Sequence, residues 1–277
     1  MPELPEVETV RASLEPAVVG RRFERVEIAD PRVTRPLDPD EVAAELHGEV
    51  VQALERRGKY LVFRFRSGRV LLIHLRMTGS LRHHRNGGLE DDPHRRAVVR
   101  LDDGSDVTYR DVRRFGTWLL LEPGEDFPYL TERLGEEPLG KGFTTKALAE
   151  RLHGRRAPVK AALLDQRAAA GLGNIYADEA LWLAKIHPLT PAGSLAAPEV
   201  GRLHRTIKDA LRAGIARQGT TLRDYRTPNG ARGSMQDELR VYGRDEEPCL
   251  RCGTAIAKTR VAGRGTWYCP HCQPAPT

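Results

Sequence analysis

All four cysteines of this 277-residue chain fall in its last 29 residues, and their spacing constrains the fold more than any other feature. They read Cys249-Leu250-Arg251-Cys252 and, sixteen residues later, Cys269-Pro270-His271-Cys272. Two C-x2-C pairs at that separation match a tetrahedral zinc site with four cysteine ligands. Each pair forms a knuckle, and the residues between can run out and back as a β-hairpin. A tail of roughly 40 residues has too little core to fold alone, so the metal would supply much of its stability. Two disulfides or a redox pair are the competing readings. The opening Met1–Val10, acidic and broken by prolines, is neither a secretory signal nor a transit peptide, so a cytoplasmic chain with reduced thiols is expected. His271 is a bystander, because four thiolates already fill the shell. Such a ribbon is usually structural and names no activity.

The rest reads as strands followed by helices. Val7, Val10, Leu14 and Val18 recur at helical spacing, and Gly20 can end a helix over 5–19. Alternating apolar segments follow around Phe23–Ile28, Val50–Arg57, Lys59–Arg66, Arg69–Leu75, Val98–Leu101, Val107–Tyr109 and Thr117–Leu121. One helix and many short strands predict a β-sandwich with the helix tucked on it. The stretch Arg82–Pro93 reads as a surface loop, and Gly135–Gly142, with its glycines and mixed charge, reads as a linker. Helices are expected over Thr144–His153, Val159–Gln166, Asn174–Ala184 and Pro198–Gln218, with a long loop over 219–235. The fold class is therefore α+β: a sandwich over 1–135, a linker over 136–150, a helical domain over 151–235 and a metal-bound hairpin over 240–274.

Net charge is +6, and it is uneven. Residues 151–234 hold 14 Lys/Arg against 6 Asp/Glu, while residues 1–150 hold 24 against 27. A basic middle on a near-neutral body suits a polyanion, although an arginine-rich solvated surface would look the same. No apolar run approaches the roughly 18 residues of a membrane span.

Several segments carry a family resemblance: Met1-Pro2-Glu3-Leu4-Pro5-Glu6-Val7-Glu8-Thr9, Arg57-Gly58-Lys59-Tyr60-Leu61, His74-Leu75-Arg76-Met77-Thr78-Gly79, Asp111-Val112-Arg113-Arg114-Phe115-Gly116, Gly171-Leu172-Gly173-Asn174-Ile175-Tyr176 and Leu239-Arg240-Val241-Tyr242-Gly243-Arg244. With the four-cysteine finger they resemble, in order and over nearly the whole chain, the formamidopyrimidine-DNA glycosylase family. The Pro-Glu-Leu-Pro-Glu start is closer to that branch than to its endonuclease VIII sister. The resemblance implies a helix–two-turn–helix motif in the second domain, with DNA lying across a cleft. It implies excision of oxidised purines from damaged double-stranded DNA followed by strand nicking. A monomer, nucleoid-associated when on DNA, is expected.

Carried onto this sequence, the resemblance makes Pro2 the nucleophile once Met1 is gone. An α-amino group titrates at about 8, so part of it is neutral near pH 7 and can attack the sugar C1′. Glu3 becomes the proton donor and acceptor for glycosidic cleavage. Glu6, three residues on, takes a supporting role at the ribose; its plainer role is a carboxylate at a helix N-terminus. Lys59 becomes the proton donor for β-elimination, and Arg264, at the expected hairpin tip, assists δ-elimination as a fixed cation. Met77, Arg113 and Phe115 match the triad that fills the gap left by an extruded base; core positions for Met77 and Phe115 are the bland reading. His94, Arg155 and Asn174 are expected on phosphates, with Lys160 a further candidate. Arg155 stands where many relatives have lysine, and Met235 where many have an aromatic, so lesion preference is less fixed than the core chemistry. Two other readings are an oxidised-pyrimidine glycosylase and a DNA-binding relative without catalysis. A zinc-ribbon scaffold leaves the N-terminal motif unexplained.

Overall fold

The computed structural model describes residues 1–85, 91–222 and 225–276. The chain divides into two compact units, Met1–Glu132 with Arg217–Ser234, and Arg133–Ala216 with Met235–Thr277.

The first unit opens with helix α1 (Leu4–Val18), whose Val7, Val10, Leu14 and Val18 are all buried on one core face. Strand β1 (Phe23–Ile28) and helix α2 (Pro39–Leu46) follow. Asp38 caps α2 by accepting the N–H groups of Asp40 and Glu41 at 2.8 and 3.3 Å. Then come β2 (Val51–Arg57), β3 (Tyr60–Phe65), β4 (Val70–His74), β5 (Gly79–His84), β6 (Arg95–Leu101), β7 (Asp106–Asp111), β8 (Thr117–Leu121) and helix α3 (Asp126–Arg133). Among the described residues these strands form two four-stranded antiparallel sheets, β1-β6-β7-β5 and β2-β3-β4-β8. Their inner faces share one core. Phe23 of β1 meets Phe63 and Phe65 of β3 edge-on, with ring centroids 6.3 and 5.3 Å apart. The expected sandwich with its N-terminal helix is therefore present.

Three elements were not anticipated: α2, α3 and β5. Strand β5 takes in Arg82, His83 and His84, which had read as the start of a surface loop. It is an edge strand paired along its length with β7, from Gly79 opposite Asp111 to His84 opposite Asp106, so polar side chains are tolerated there. The middle of that expected loop, 86–90, lies outside the described residues, as do 223 and 224 of the expected 219–235 loop.

The second unit holds α4 (Thr145–Leu152), α5 (Val159–Leu164), α6 (Asn174–Ala184), α7 (Ala197–Ala216) and the hairpin strands β9 (Ala257–Val261) and β10 (Arg264–Tyr268). Helix α6 is buried on nearly all sides, which its apolar sequence requires. Two of its buried residues, Asp178 and Glu179, are acidic and must find partners. The segment that reads as a linker is part of this unit. Gly135 N–H donates to Gln166 O at 3.0 Å, Ala170 N–H donates to Glu136 O at 3.1 Å, and Phe143 is buried. Its glycines serve close packing: a Cβ on Gly135 would lie 2.0 Å from the carbonyl oxygen of Arg167. Residues 217–234, expected with the helical domain, are grouped instead with the first unit.

Candidate active site and DNA-contact loops

The catalytic candidates of the first unit begin at the head of α1. Glu3 is the N-cap, and Glu6, at the third helical position, accepts the Glu3 N–H on Oε2 at 2.8 Å. The other oxygen of Glu6 accepts the N–H of Thr220 at 2.7 Å. Glu6 therefore fixes the backbone of Glu3 and the start of the 217–222 segment together. The Tyr225 hydroxyl adds a contact to Glu6 O at 3.4 Å and to Gln218 O at 3.1 Å. Pro2, Glu3 and Glu6 are all buried, beneath a Met1 that is exposed. The structure thus gives Glu6 a holding role at the backbone.

Lys59 sits on the two-residue turn between β2 and β3. Gly58 takes a positive φ of 58°, which a turn with glycine at its first central position needs. Arg56 ties this turn to α1: its Nε donates to Glu8 Oε2 at 2.9 Å and its Nη1 to Gly58 O at 3.0 Å. Lys59 is almost fully buried and is not an ordinary exposed turn lysine. His74 completes this neighbourhood. Its ring lies edge-on to Tyr60 with centroids 4.8 Å apart, and its Nδ1 accepts the Arg76 N–H at 3.0 Å. Burial, aided by the positive charges of Arg76 and Lys59, pushes its pKa down to about 3, so the imidazole is neutral.

Two loops carry the gap-filling candidates. Met77 lies half-buried in the turn between β4 and β5, after Arg76 at a positive φ of 52°. Arg113 and Phe115 lie in the loop between β7 and β8, both exposed, with the guanidinium 4.7 Å from the ring centroid. Arg114 between them turns back at a φ of 59° and pairs with buried Asp30, Nη2 to Oδ1 at 2.8 Å. That pair holds the Asp30 carboxyl below the usual carboxylate range. It also leaves Arg113 and Phe115 pointing away from the core, so Phe115 is not a core residue. His94 is half-buried just before β6, its N–H bonded to Asp92 Oδ1 at 2.9 Å and its Nδ1 3.4 Å from Arg96 Nη2.

Arg155, Lys160, Asn174 and Arg264 belong to the second unit. Lys160 is a correction: it is fully buried and cannot meet a phosphate. Its Nζ donates to Gly265 O at 2.9 Å and Thr266 Oγ1 at 2.8 Å, and pairs with Asp178 Oδ1 at 2.7 Å. Asp178 also accepts the Trp267 N–H at 3.1 Å. Burial pushes the Asp178 carboxyl up, with Lys160 pulling against it. Asn174, the first residue of α6, donates its amide to the same Gly265 O at 3.0 Å. The hairpin is thus seated on α6 through the residue after Arg264. Its tip is Ala262-Gly263, both at positive φ (47° and 74°), and exposed Arg264, expected at the tip, is instead the first residue of β10, one place beyond it. Arg155 is partly engaged by Asp165 at 3.1 Å. Met235 is fully buried within the second unit. Glu179, which the sequence reading passed over, accepts the N–H groups of Arg240, Val241 and Tyr242 at 2.9–3.1 Å and anchors the lead into the finger.

The four cysteine sulfurs lie within 4.8 Å of one another and form no disulfide. A tetrahedral zinc about 2.3 Å from each sulfur sets them roughly 3.8 Å apart, so the cluster fits one ion. The Arg251 N–H points at Cys249 Sγ (3.4 Å) and the Cys272 N–H at Cys269 Sγ (3.3 Å), donors that suit thiolates. The site holds a single structural zinc.

Residues 1–118 match the formamidopyrimidine-DNA glycosylase N-terminal domain, residues 134–226 its H2TH domain, and residues 246–275 the zinc finger found in FPG and IleRS. The formamidopyrimidine-DNA glycosylase of Symbiobacterium thermophilum is 53% identical over 278 aligned residues, covering 100% of this chain and 90% of the relative. That of Roseiflexus sp. is 47% identical, covering 99% of this chain and all of the relative. Among solved structures, a Lactococcus lactis FPG mutant in complex with Fapy-dG-containing DNA matches with a TM-score of 0.93 at 40% identity, covering 99% of this chain and 100% of that one. MutM in complex with carbocyclic 8-oxo-G-containing DNA matches with a TM-score of 0.92 at 40% identity and the same coverage.

Proposed function

The chain belongs to the formamidopyrimidine-DNA glycosylase family and is a DNA glycosylase of base excision repair, and from that premise we propose that it works through Pro2 as a bifunctional glycosylase and AP lyase on oxidised purines. The observation that carries this reading is the buried head of α1. Pro2 and Glu3 sit there beside each other, fixed by Glu6, while Arg56 anchors the Lys59 turn to the same helix.

Removal of Met1 turns Pro2 into a secondary amine. Its lone pair attacks C1′, and the bond from C1′ to the damaged base breaks with the electron pair leaving on the base. Glu3 takes up the proton that the attacking nitrogen loses and passes it to O4′ as the sugar ring opens, and the resulting iminium is a fixed cation. That cation drains electrons from C2′, so loss of a C2′ proton expels the 3′ phosphate. Lys59 is the proton carrier for this step. Loss of a second proton expels the 5′ phosphate, with the permanent charge of Arg264 stabilising the leaving group. Met77, Arg113 and Phe115 occupy the space of the extruded base, and His94, Arg155 and Asn174 hold phosphates. We read the working form as a monomer.

Borohydride trapping on an 8-oxoguanine:cytosine duplex tests the reading, with Pro2→Gly as control. A covalent adduct with the wild type, stronger than on a thymine glycol duplex, is expected. Stronger trapping on thymine glycol favours the pyrimidine reading, which one observation keeps in view: a matching Lactococcus lactis FPG structure is a complex with oxidised-pyrimidine DNA. No adduct on either duplex, with Met1 verified absent, overturns the imine mechanism.

A further inference from the structure

Asp111, the last residue of β7, is 1% exposed and has no assigned role in the chemistry above. Its carboxylate gathers donors from both gap-filling loops. Oδ1 accepts the Thr78 hydroxyl at 2.5 Å and the Arg113 N–H at 3.3 Å. Oδ2 accepts the Gly116 N–H at 2.8 Å and the Tyr109 hydroxyl at 3.3 Å. Thr78 closes the ring by accepting the Arg113 N–H at 3.0 Å. The main chain extends the hub to a third segment: the Asp111 N–H donates to His94 O at 3.0 Å, and Arg96 Nε donates to Asp111 O at 3.0 Å. Gly116 leaves room for this, since a Cβ there would lie 1.6 Å from the Tyr109 hydroxyl.

We propose that Asp111 is a positioning residue that locks the Met77 turn and the Arg113–Phe115 loop into one rigid wedge. This rests on the reading that Met77, Arg113 and Phe115 fill the space of the extruded base. A buried carboxylate is costly unless nearly every lone pair is used, and here each oxygen accepts two donors. Loops that moved independently would have to be ordered at each insertion. Loops already joined through one side chain enter the stack without that cost, and Arg113 meets the orphan base at a fixed place. The hub therefore matters most where a base must be expelled from an intact stack. It matters least at a preformed abasic site, where there is no base to expel.

Asp111→Asn turns one acceptor oxygen into a donor facing donors, and the protein can fail to fold. Thr78→Val removes only the hydroxyl bridge, and Thr78→Ser restores it. Single-turnover base excision is measured on 8-oxoguanine opposite cytosine and opposite adenine, beside nicking of a preformed abasic duplex. All rates are normalised to the trappable fraction. Thr78→Val is expected to excise about tenfold more slowly, the equivalent of one hydrogen bond of about 1.4 kcal/mol. It should discriminate less between cytosine and adenine, and nick the abasic duplex within about twofold of wild type. Thr78→Ser should recover most of the rate. Equal slowing on both substrates, no slowing, or valine and serine variants that behave alike each overturn the proposal. If wild type itself excises nothing, the glycosylase reading fails; if it excises and Thr78→Val keeps pace, only the positioning role falls.

Discussion

At the residue scale, several buried polar groups hold their neighbours by accepting backbone N–H groups, and His74 is one whose charge responds to pH. Its pKa, about 3 in the fold, is far below the ordinary histidine value because burial disfavours the imidazolium. The unfolded chain therefore binds the proton more readily. The stability this site contributes is complete above about pH 6.5 and is lost as pH falls from there toward 3. His74→Asn keeps an acceptor near the Arg76 N–H and removes the titration. Its melting temperature should decline less steeply than that of wild type between pH 6.5 and pH 4, read by thermal denaturation. The paired carboxyl of Asp30, held low by Arg114, loses its contribution only below the ordinary aspartate range, so the two groups separate along the pH axis.

At the scale of elements, the hairpin of β9 and β10 is fastened to α6 by a buried lysine–aspartate pair. Breaking one partner of such a pair leaves a buried charge, at a cost of about 3–5 kcal/mol, whereas removing both with apolar residues costs far less. Lys160→Met should lower stability by that amount, and Lys160→Met with Asp178→Leu should recover much of it. Chemical denaturation of the zinc-loaded protein gives the cycle. Much of this architecture could be read in the sequence where it depends on local pattern. The residues of α1 recur at helical spacing, β8 is a bare apolar run, and Asn174 follows Gly-Leu-Gly as the opening of α6. What escaped depends on distant partners. β5 reads as polar because an edge strand needs only one covered face. Lys160 looks like a surface cation until a hairpin some hundred residues later closes over it. Asp111 lay inside a recognised motif and Glu179 three residues beyond one, yet nothing local distinguishes a buried carboxylate with several donors from an exposed one.

At the scale of the molecule, DNA binding by a chain of net charge +6 should weaken with salt, each neutralised phosphate contributing a slope of about −0.9 in log affinity against log salt. Arg155→Gln is expected to reduce that slope by about 0.9 on any duplex, damaged or not. Phe115→Ala, which removes a wedge and no charge, should leave the slope unchanged and slow excision. Binding isotherms at several salt concentrations separate the two. A variant at Arg155 with the wild-type slope would remove that residue from the phosphate contacts.

The bond from Glu6 to Thr220 joins residues 214 positions apart. The ribosome adds roughly 5–20 residues per second, so on the order of 10–40 s separate the emergence of the two partners. During that interval the 217–234 strip that completes the first unit does not yet exist, and the head of α1 stands without it. An aminopeptidase that must reach Met1 thus meets the N-terminus before the fold has closed around Pro2. The order in which the chain is made presents the N-terminus to a maturation enzyme before Glu6 and Thr220 have joined.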